Sequence, residues 1–483
     1  MQTLLVLYNG QSMFTSTVRE YVDAFARHSK NNVKYLHTFI NTKPQFKFED
    51  FDAIIVTYSC RVCYLELWSP EVRKALADYR GLKIVFLQDE YQETGKLRAG
   101  LQELGVKIVF TCVPPEHIEF VYPTRMFPGV RFEQVLTGYV PNALLNIPMR
   151  SIRPIAQRET WIGSRGRHIG HRFGDLGFYK VEIGRRFKDA CLRRGIPCDI
   201  DWTEDARIYQ DKWYPFISSC RTMLATPSGS NVFDFDGSIE RDYKAWLEVN
   251  PSLTYDEYRP TIARKETEID MGQASPRLFE AAALGTVLIL QEGSYSGVVT
   301  PGVDCIVVAK DFSNVDDVLD QLSDARYLQG IADKAYETII ASGKWTYEKF
   351  ITRIDKVIEE TIGCQDQALL QFTGRSMKGY DQELLEALSL VSGNQYPLSF
   401  TLDLSHSRSE NPAQQQAFKE ALMSLMHLSP EPPIAGFADT VTPFEHAEVY
   451  QTKQSAVQFI NNLKSKVPVW VKKPVKDIFT KSK

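Results

Sequence analysis

Residues 273–293 read QASPRLFEAAALGTVLILQEG, and this stretch decides the fold. Ser275 is a residue type favoured at a helix N-cap, and Pro276 suits the first helical position. Leu278, Phe279, Ala281, Ala282 and Ala283 carry the helix inward. Gly285 stops it, and the apolar run 287–290 begins a buried strand. The expected unit is a short helix whose N-terminus faces the ligand edge of a sheet. Such an end offers free backbone N–H groups and partial positive charge to a phosphate. Arg277 and Glu280 are three apart and share one face. Arg277 can hold a diphosphate in a planar fork, and Glu280 can accept hydrogen bonds from a ribose diol. The competing reading is that both merely solvate a helix surface.

Outward from this stretch, short apolar runs alternate with helical patterns. Upstream, strands are expected at 4–8, 53–57, 83–87 and 107–110, with helices at 14–28, 70–79 and 97–104. After a proline-rich passage the pattern restarts with strands at 160–163, near Asp199, and at 222–226, 287–290 and 305–309. The accompanying helices are expected at 180–193, 213–220 and 276–284, with more through about residue 360. Continuous apolar strands separated by helices mean parallel sheets covered on both faces. The expected organisation is a domain over 1–150, a second over 151–362 and an extension over 363–483. In such sheets ligands bind at the carboxyl ends of strands, and two facing domains would place a site in a central cleft.

The bulk numbers agree with a globular protein. Of 483 residues, 43% are hydrophobic and 24% charged, too many residues for one ordinary core. The net charge of −4 gives no nucleic-acid footprint. No apolar run reaches the roughly 20 residues that span a bilayer. The opening MQTLLVLYNG lacks a basic lead-in and reads as a first strand instead of a signal peptide. Eight scattered cysteines fit reduced thiols and a cytoplasmic setting. Cys60 and Cys63 form a CxxC without a second pair or a thioredoxin-like context, so packing is the expected role.

Two further stretches carry chemistry. Residues 161–187, WIGSRGRHIGHRFGDLGFYKVEIGRRF, follow the first strand of the second domain. Glycines let backbone approach a ligand, and Arg165, Arg167, His168, His171 and Arg172 crowd one loop. That composition suits an anion cradle, or else a solvated basic loop. It matches neither GxGxxG nor a Walker loop. Residues 225–239, ATPSGSNVFDFDGSI, follow a strand, so Ser228 and Gly229 should reach the ligand edge. Asp234 and Asp236 make a DxD-like pair that could hold a divalent cation or form an ordinary turn. In the first domain, Asn9-Gly10, Thr57-Tyr58-Ser59 and Asp89-Glu90-Tyr91 follow strands. Asp89 is the candidate base for an acceptor hydroxyl, or equally a helix cap.

SPRLFEAAALGTVLI resembles the donor-binding motif of group 1 glycosyltransferases, including the CgeB-like branch. The resemblance is specific over 155–360, weaker over 1–150 and absent beyond about 363. It implies a GT-B architecture, two Rossmann-like domains, a nucleotide-sugar donor and no bound metal. The motif's second glutamate falls on Glu280 and its glycine on Gly285. Many members carry an earlier glutamate eight positions before; here that position is Gly272, which leaves retention or inversion open. The resemblance also places a glycine-rich loop with a basic residue beside the donor phosphates; of the residues here Arg165 is the first choice for that contact and Lys180 a second, and Gly166 allows close backbone approach. A Pro-Ser turn near the donor falls on Ser228.

The resulting expectation is a metal-independent glycosyltransferase without a cofactor. Its donor residues are Glu280, Arg277, Arg165, Lys180, Ser275, Gly166, Ser228 and Gly229, and its acceptor is a glycan, lipid-linked or protein hydroxyl. Two competing classes are a nucleotide-sugar epimerase and a non-catalytic nucleotide-sugar-binding component of a surface-polysaccharide assembly. Residues 453–483 hold eight lysines interleaved with Trp470, Phe479 and several valines. Such a tail suits peripheral contact with an anionic membrane face, or a solubilising tail.

Overall fold

A computed structural model describes residues 1–364, apart from Phe14, 148–150, 209–211 and 266–268, together with 398–399. The lysine-rich tail lies outside the described residues.

Compactness divides the chain into two units. The first holds Met1–Ala26 and Asn31–Leu82 with the described residues from Ile362. The second holds Arg27–Lys30 and Lys83–Thr361. The boundary expected near residue 150 lies between the last strand of the first βα run and the first strand of the second.

In the first unit, β1 (Thr3–Tyr8) is the middle strand, paired in parallel with β2 (Asn32–His37) and β3 (Ala53–Val56). Leu4, Leu5, Val6 and Leu7 are all buried. That burial on both pleat faces is what helices on both sides of a parallel sheet produce. α1 (Ser16–His28) and α2 (Pro70–Asp78) belong to this run. α2 starts where the sequence says it should, with Pro70 at its first position and Ser69 accepting from Val72 N at 3.2 Å.

In the second unit, β4 (Leu82–Phe86), β5 (Ile108–Thr111) and β6 (Arg131–Gln134) are parallel neighbours in that order. α3 (Thr94–Leu104), α4 (Ile118–Val121) and α5 (Asn142–Leu145) accompany them. A five-stranded parallel sheet follows, built from β7 (Thr160–Arg165), β8 (Cys198–Asp201), β9 (Cys220–Ala225), β10 (Val287–Gln291) and β11 (Ile306–Val308). Its order is β11-β10-β9-β7-β8. Its helices are α6 (Gly174–Arg194), α7 (Trp213–Ser219), α8 (Ser238–Val249), α9 (Tyr255–Ala263), α10 (Pro276–Ala283), α11 (Val315–Gln321) and α12 (Ala325–Ala335), whereas α13 (Tyr347–Cys364) meets β4 through Phe350 and β6 through Arg353 and Glu360. Ile162, Leu224, Val287, Ile289, Ile306 and Val308 from four strands meet Ile183 and Phe187 of α6 in one buried core.

Arg158 locks this sheet from below. It is 1% exposed, yet its guanidinium meets only neutral acceptors. Nε donates to Arg153 O, Nη1 to Cys220 O and Thr286 Oγ1, and Nη2 to Leu284 O, at 2.7–3.0 Å. It thereby ties the start of β9 to the end of α10. Burial pushes its pKa down to about 10.

Several elements differ from the sequence expectation. β2 and β6 are strands with polar residues interspersed, NVKYLH and RFEQ, so neither shows a continuous apolar run. α6 begins six residues before the expected start at 180, because Gly174 and Gly177 lie inside its first turns. The helical hairpin α8–α9 is also unanticipated. Among the described residues, no helix is long and apolar enough to cross a membrane.

Candidate functional site

The carboxyl ends of β7 and β9 and the start of α10 bring together residues distant in sequence. β9 ends at Ala225, and the chain turns at Ser228 to pair with the lead-in to α10. Ser228 N donates to Gln273 O and Gln273 N to Ser228 O, both at 2.9 Å, an isolated antiparallel bridge. Gly229 permits the turn. Its φ is +105°, and a Cβ there would lie 2.3 Å from Met271 Cβ. Gly272 is equally constrained: φ is +48°, and a Cβ would meet Ser294 Oγ at 2.1 Å. A glutamate therefore has no room where many motif bearers carry one.

Gln273 fastens the lead-in. Its Nε2 donates to Met271 O at 2.7 Å and to Cys112 O, just beyond β5, at 2.6 Å, while Oε1 accepts from Ser296 Oγ. Sequence reasoning assigns Gln273 no role, since its partners lie up to 161 residues away.

α10 then starts at Pro276. Ser275 has the extended backbone of an N-cap, but its hydroxyl makes no capping bond. The expected side-chain cap is thus corrected: the helix start is left without one. Glu280 and Arg277 do not solvate a helix surface. Glu280 is 3% exposed, and its Oε2 accepts from Trp213 Nε1 of α7 at 2.8 Å. Burial raises its pKa, opposed by the Trp213 hydrogen bond and the Arg277 charge. Arg277 donates through Nη1 to Leu224 O at 3.1 Å and through Nη2 to Arg165 O at 2.6 Å. Two of its five N–H groups thus bind the ends of β9 and β7. Burial also lowers its pKa, while Glu280 opposes this.

Lys180 projects from α6. It is half-buried, with Nζ 3.5 Å from Ser228 Oγ. Burial lowers its pKa to about 8, helped by the positive charge of Arg277 and opposed by Asp89. Lys180, Ser228, Arg277 and Glu280 therefore share one locale.

Arg165 and the basic loop stand differently. Arg165 Nε donates to Ala206 O, and Nη1 donates to Ser164 O and Asp199 O. Its Nη2 pairs with Asp199 Oδ1 at 2.8 Å, and Phe216 lies under the guanidinium at 4.4 Å. This side chain is a strut between β7 and β8; only its carbonyl enters the site, as Arg277's acceptor. Gly166 continues that ladder, its N donating to Asp201 O. His171 is bonded to Leu253 O and Arg172 pairs with Glu240. Arg167 and His168 are exposed.

Asp234 and Asp236 serve the start of α8. Asp234 accepts from Ile239 N and Glu240 N, and Asp236 from Ser238 N. Among the described residues no group of three His, Cys, Asp or Glu side chains is placed to hold a metal.

After β4, Asp89 is exposed, with φ of +54°, and accepts from Tyr91 OH at 2.6 Å. The adjacent Glu90 is fully buried and accepts from Thr111 Oγ1, Cys112 N and Tyr122 OH. Burial pushes its pKa up to about 6 against those bonds. In the first unit, Asn9 N donates to Ser59 Oγ at 3.0 Å, and Thr57 Oγ1 donates to Leu7 O at 2.9 Å. Cys60 is buried against Thr38 and Thr57, as packing predicts.

No family model matches the chain, and no curated protein does. Among solved structures it is similar to a DNA-modifying beta-glucosyltransferase solved in the presence and absence of UDP-glucose. That chain is 11% identical, with 74% of this chain and 99% of that one covered and a TM-score of 0.45. Sucrose-phosphate synthase from Thermosynechococcus elongatus is 11% identical over 75% of this chain and 100% of its own, at 0.40. Anabaena HepE in complex with UDP-glucose is 12% identical over 75% and 100%, at 0.41.

Proposed function

We propose that the chain is a GT-B glycosyltransferase of the group 1 type, CgeB-like branch. It transfers a sugar from a nucleotide-sugar donor to a glycan, lipid-linked or protein hydroxyl. The observation that carries this reading is the buried Glu280 beside Arg277 and Lys180 at the uncapped start of α10. Glu280 accepts from the donor's ribose hydroxyls. Lys180 and the spare N–H groups of Arg277 face the diphosphate.

In the reaction, the acceptor oxygen bonds to the anomeric carbon as the bond from that carbon to the diphosphate oxygen breaks. Asp89 takes the hydroxyl proton. The nucleoside diphosphate leaves with the electron pair, its added charge met by positions already in place. That cluster supplies the role a divalent metal plays elsewhere, so turnover is proposed to be metal-independent.

A thermal-shift screen against nucleotide-sugars, with UDP-glucose among them, tests the donor site; selective binding raises apparent stability. Incubating the bound donor with and without a panel of acceptors then tests transfer. Release of nucleoside diphosphate that depends on acceptor supports the proposal. Conversion of the sugar with donor alone would establish an epimerase, and binding without any turnover a binding component.

A further inference from the structure

α7 opens on Trp213, 67 residues before Glu280 in the chain. This one side chain touches both polar residues of α10. Its Nε1–H donates to Glu280 Oε2 at 2.8 Å. Its ring centre lies 5.5 Å from the guanidinium carbon of Arg277. An indole N–H is a donor only and has a single direction, so it selects the carboxylate orientation in which Oε2 is engaged. Oε1 is then left for a second donor. A hydrogen bond to an ionised oxygen also favours the charged form in a buried setting.

We infer that Trp213 is a positioning residue, which fixes the Glu280 carboxylate so that Oε1 meets a ribose hydroxyl of the bound nucleotide. The inference rests on the reading of Glu280 as the ribose contact. Trp213→Phe keeps an aromatic ring at this position and removes the N–H together with the five-membered ring that carries it. Without it, a buried carboxylate turns freely and presents no fixed acceptor.

The test uses the full chain, isothermal titration calorimetry, and UDP, GDP and ADP with their 2′,3′-dideoxy counterparts. Wild type should bind at least one ribonucleotide, and bind its dideoxy form more weakly. W213F should bind that ribonucleotide roughly tenfold more weakly than wild type, yet bind the dideoxy form as wild type does. E280A should show the same pattern, and the double variant should be no weaker than E280A alone. Unchanged dideoxy binding also reports that the variants are folded. Ribonucleotide binding by W213F at the wild-type level, with E280A weakened, would overturn the role of Trp213 alone. Equal weakening of W213F toward both nucleotide forms would overturn it too, since that marks a general structural loss. No binding by wild type, or an E280A variant that binds the ribonucleotide normally, would overturn the donor reading and the inference with it.

Discussion

The loop 166–172 and the first turn of α10 make opposite uses of charge. The loop, with Arg165 at its threshold, is the more basic by sequence. Yet Arg165, His171 and Arg172 are each held by protein groups: Asp199, Leu253 O and Glu240. α10 carries only Arg277 and Glu280. Both are drawn inward, and each keeps hydrogen-bonding capacity after its protein contacts are counted. Local density of basic residues therefore measures how much charge must be accommodated. The capacity to bind a ligand is what remains after neighbours have taken their share.

Arg158 is a buried charge whose donors bond to protein carbonyls and a hydroxyl. Arg158→Ala removes four hydrogen bonds and strands buried acceptors. The expected loss is about 3 kcal/mol or more, read as a lower denaturation midpoint, with donor affinity in the surviving folded fraction unchanged. Glu280→Ala should do the reverse. Donor kcat/KM should fall at least about tenfold, about 1.4 kcal/mol, with little change in Tm. Normal donor kinetics in a folded E280A protein would remove Glu280 from the site.

Lys180 sharpens the contrast through pH. Its folded pKa of about 8 lies below the ordinary lysine value of 10.5. Between those values the unfolded chain holds the extra proton, so this group's contribution to stability rises with pH across that window. Ligand binding runs the other way, because a diphosphate needs the ammonium. Nucleoside diphosphate Kd should climb as pH passes about 8, and at pH 9 about one in ten free sites keeps the charge. Lys180→Met should flatten that limb. An unchanged profile in the variant would place the titrating group elsewhere.

Arg165→Ala should cost about 1 kcal/mol of stability, given its half-exposed partner Asp199, with donor affinity within about threefold. A tenfold loss of affinity would show that the strut also reaches the ligand. The smallest effect is expected from the acidic pair. Asp236→Asn should leave turnover in excess EDTA untouched and shift stability by less than about 1 kcal/mol. Loss of turnover in EDTA, restored by Mn²⁺, would overturn metal independence.

The contrast also marks what a sequence makes legible. The α10–β10 unit is written locally: a proline start, small apolar residues, a glycine stop and a VLIL strand all point one way. β2 and β6 are not, since Asn32, Lys34 and Glu133 interrupt their apolar runs. α8–α9 carries a local signal in its Thr254–Glu257 capping box, but the DxD pattern just before it draws attention to metal chemistry. Glu280, Arg277 and Lys180 can be named from motif and resemblance. The burial of Glu280 and Arg277 cannot, because both meet Trp213 of α7. The same distance hides Trp213 and Gln273, whose partners no spacing rule connects. Arg165 reads as a phosphate contact because Asp199, which claims it, lies 34 residues further on the neighbouring strand.

The Gln273–Cys112 hydrogen bond has a consequence for the order of events at the ribosome. The carbonyl just beyond β5 emerges 161 residues before the side chain that will secure it. At roughly 5–20 residues per second, that delay is on the order of ten seconds or more. During it, the nascent β4–β5 segment must wait with that acceptor hydrated and the α10 lead-in unmade. Closing so long a loop adds little entropy per residue, yet the contact cannot form before residue 273 has been added. Codon-level pauses between 112 and 273 would lengthen that exposure without altering a single residue of the finished protein.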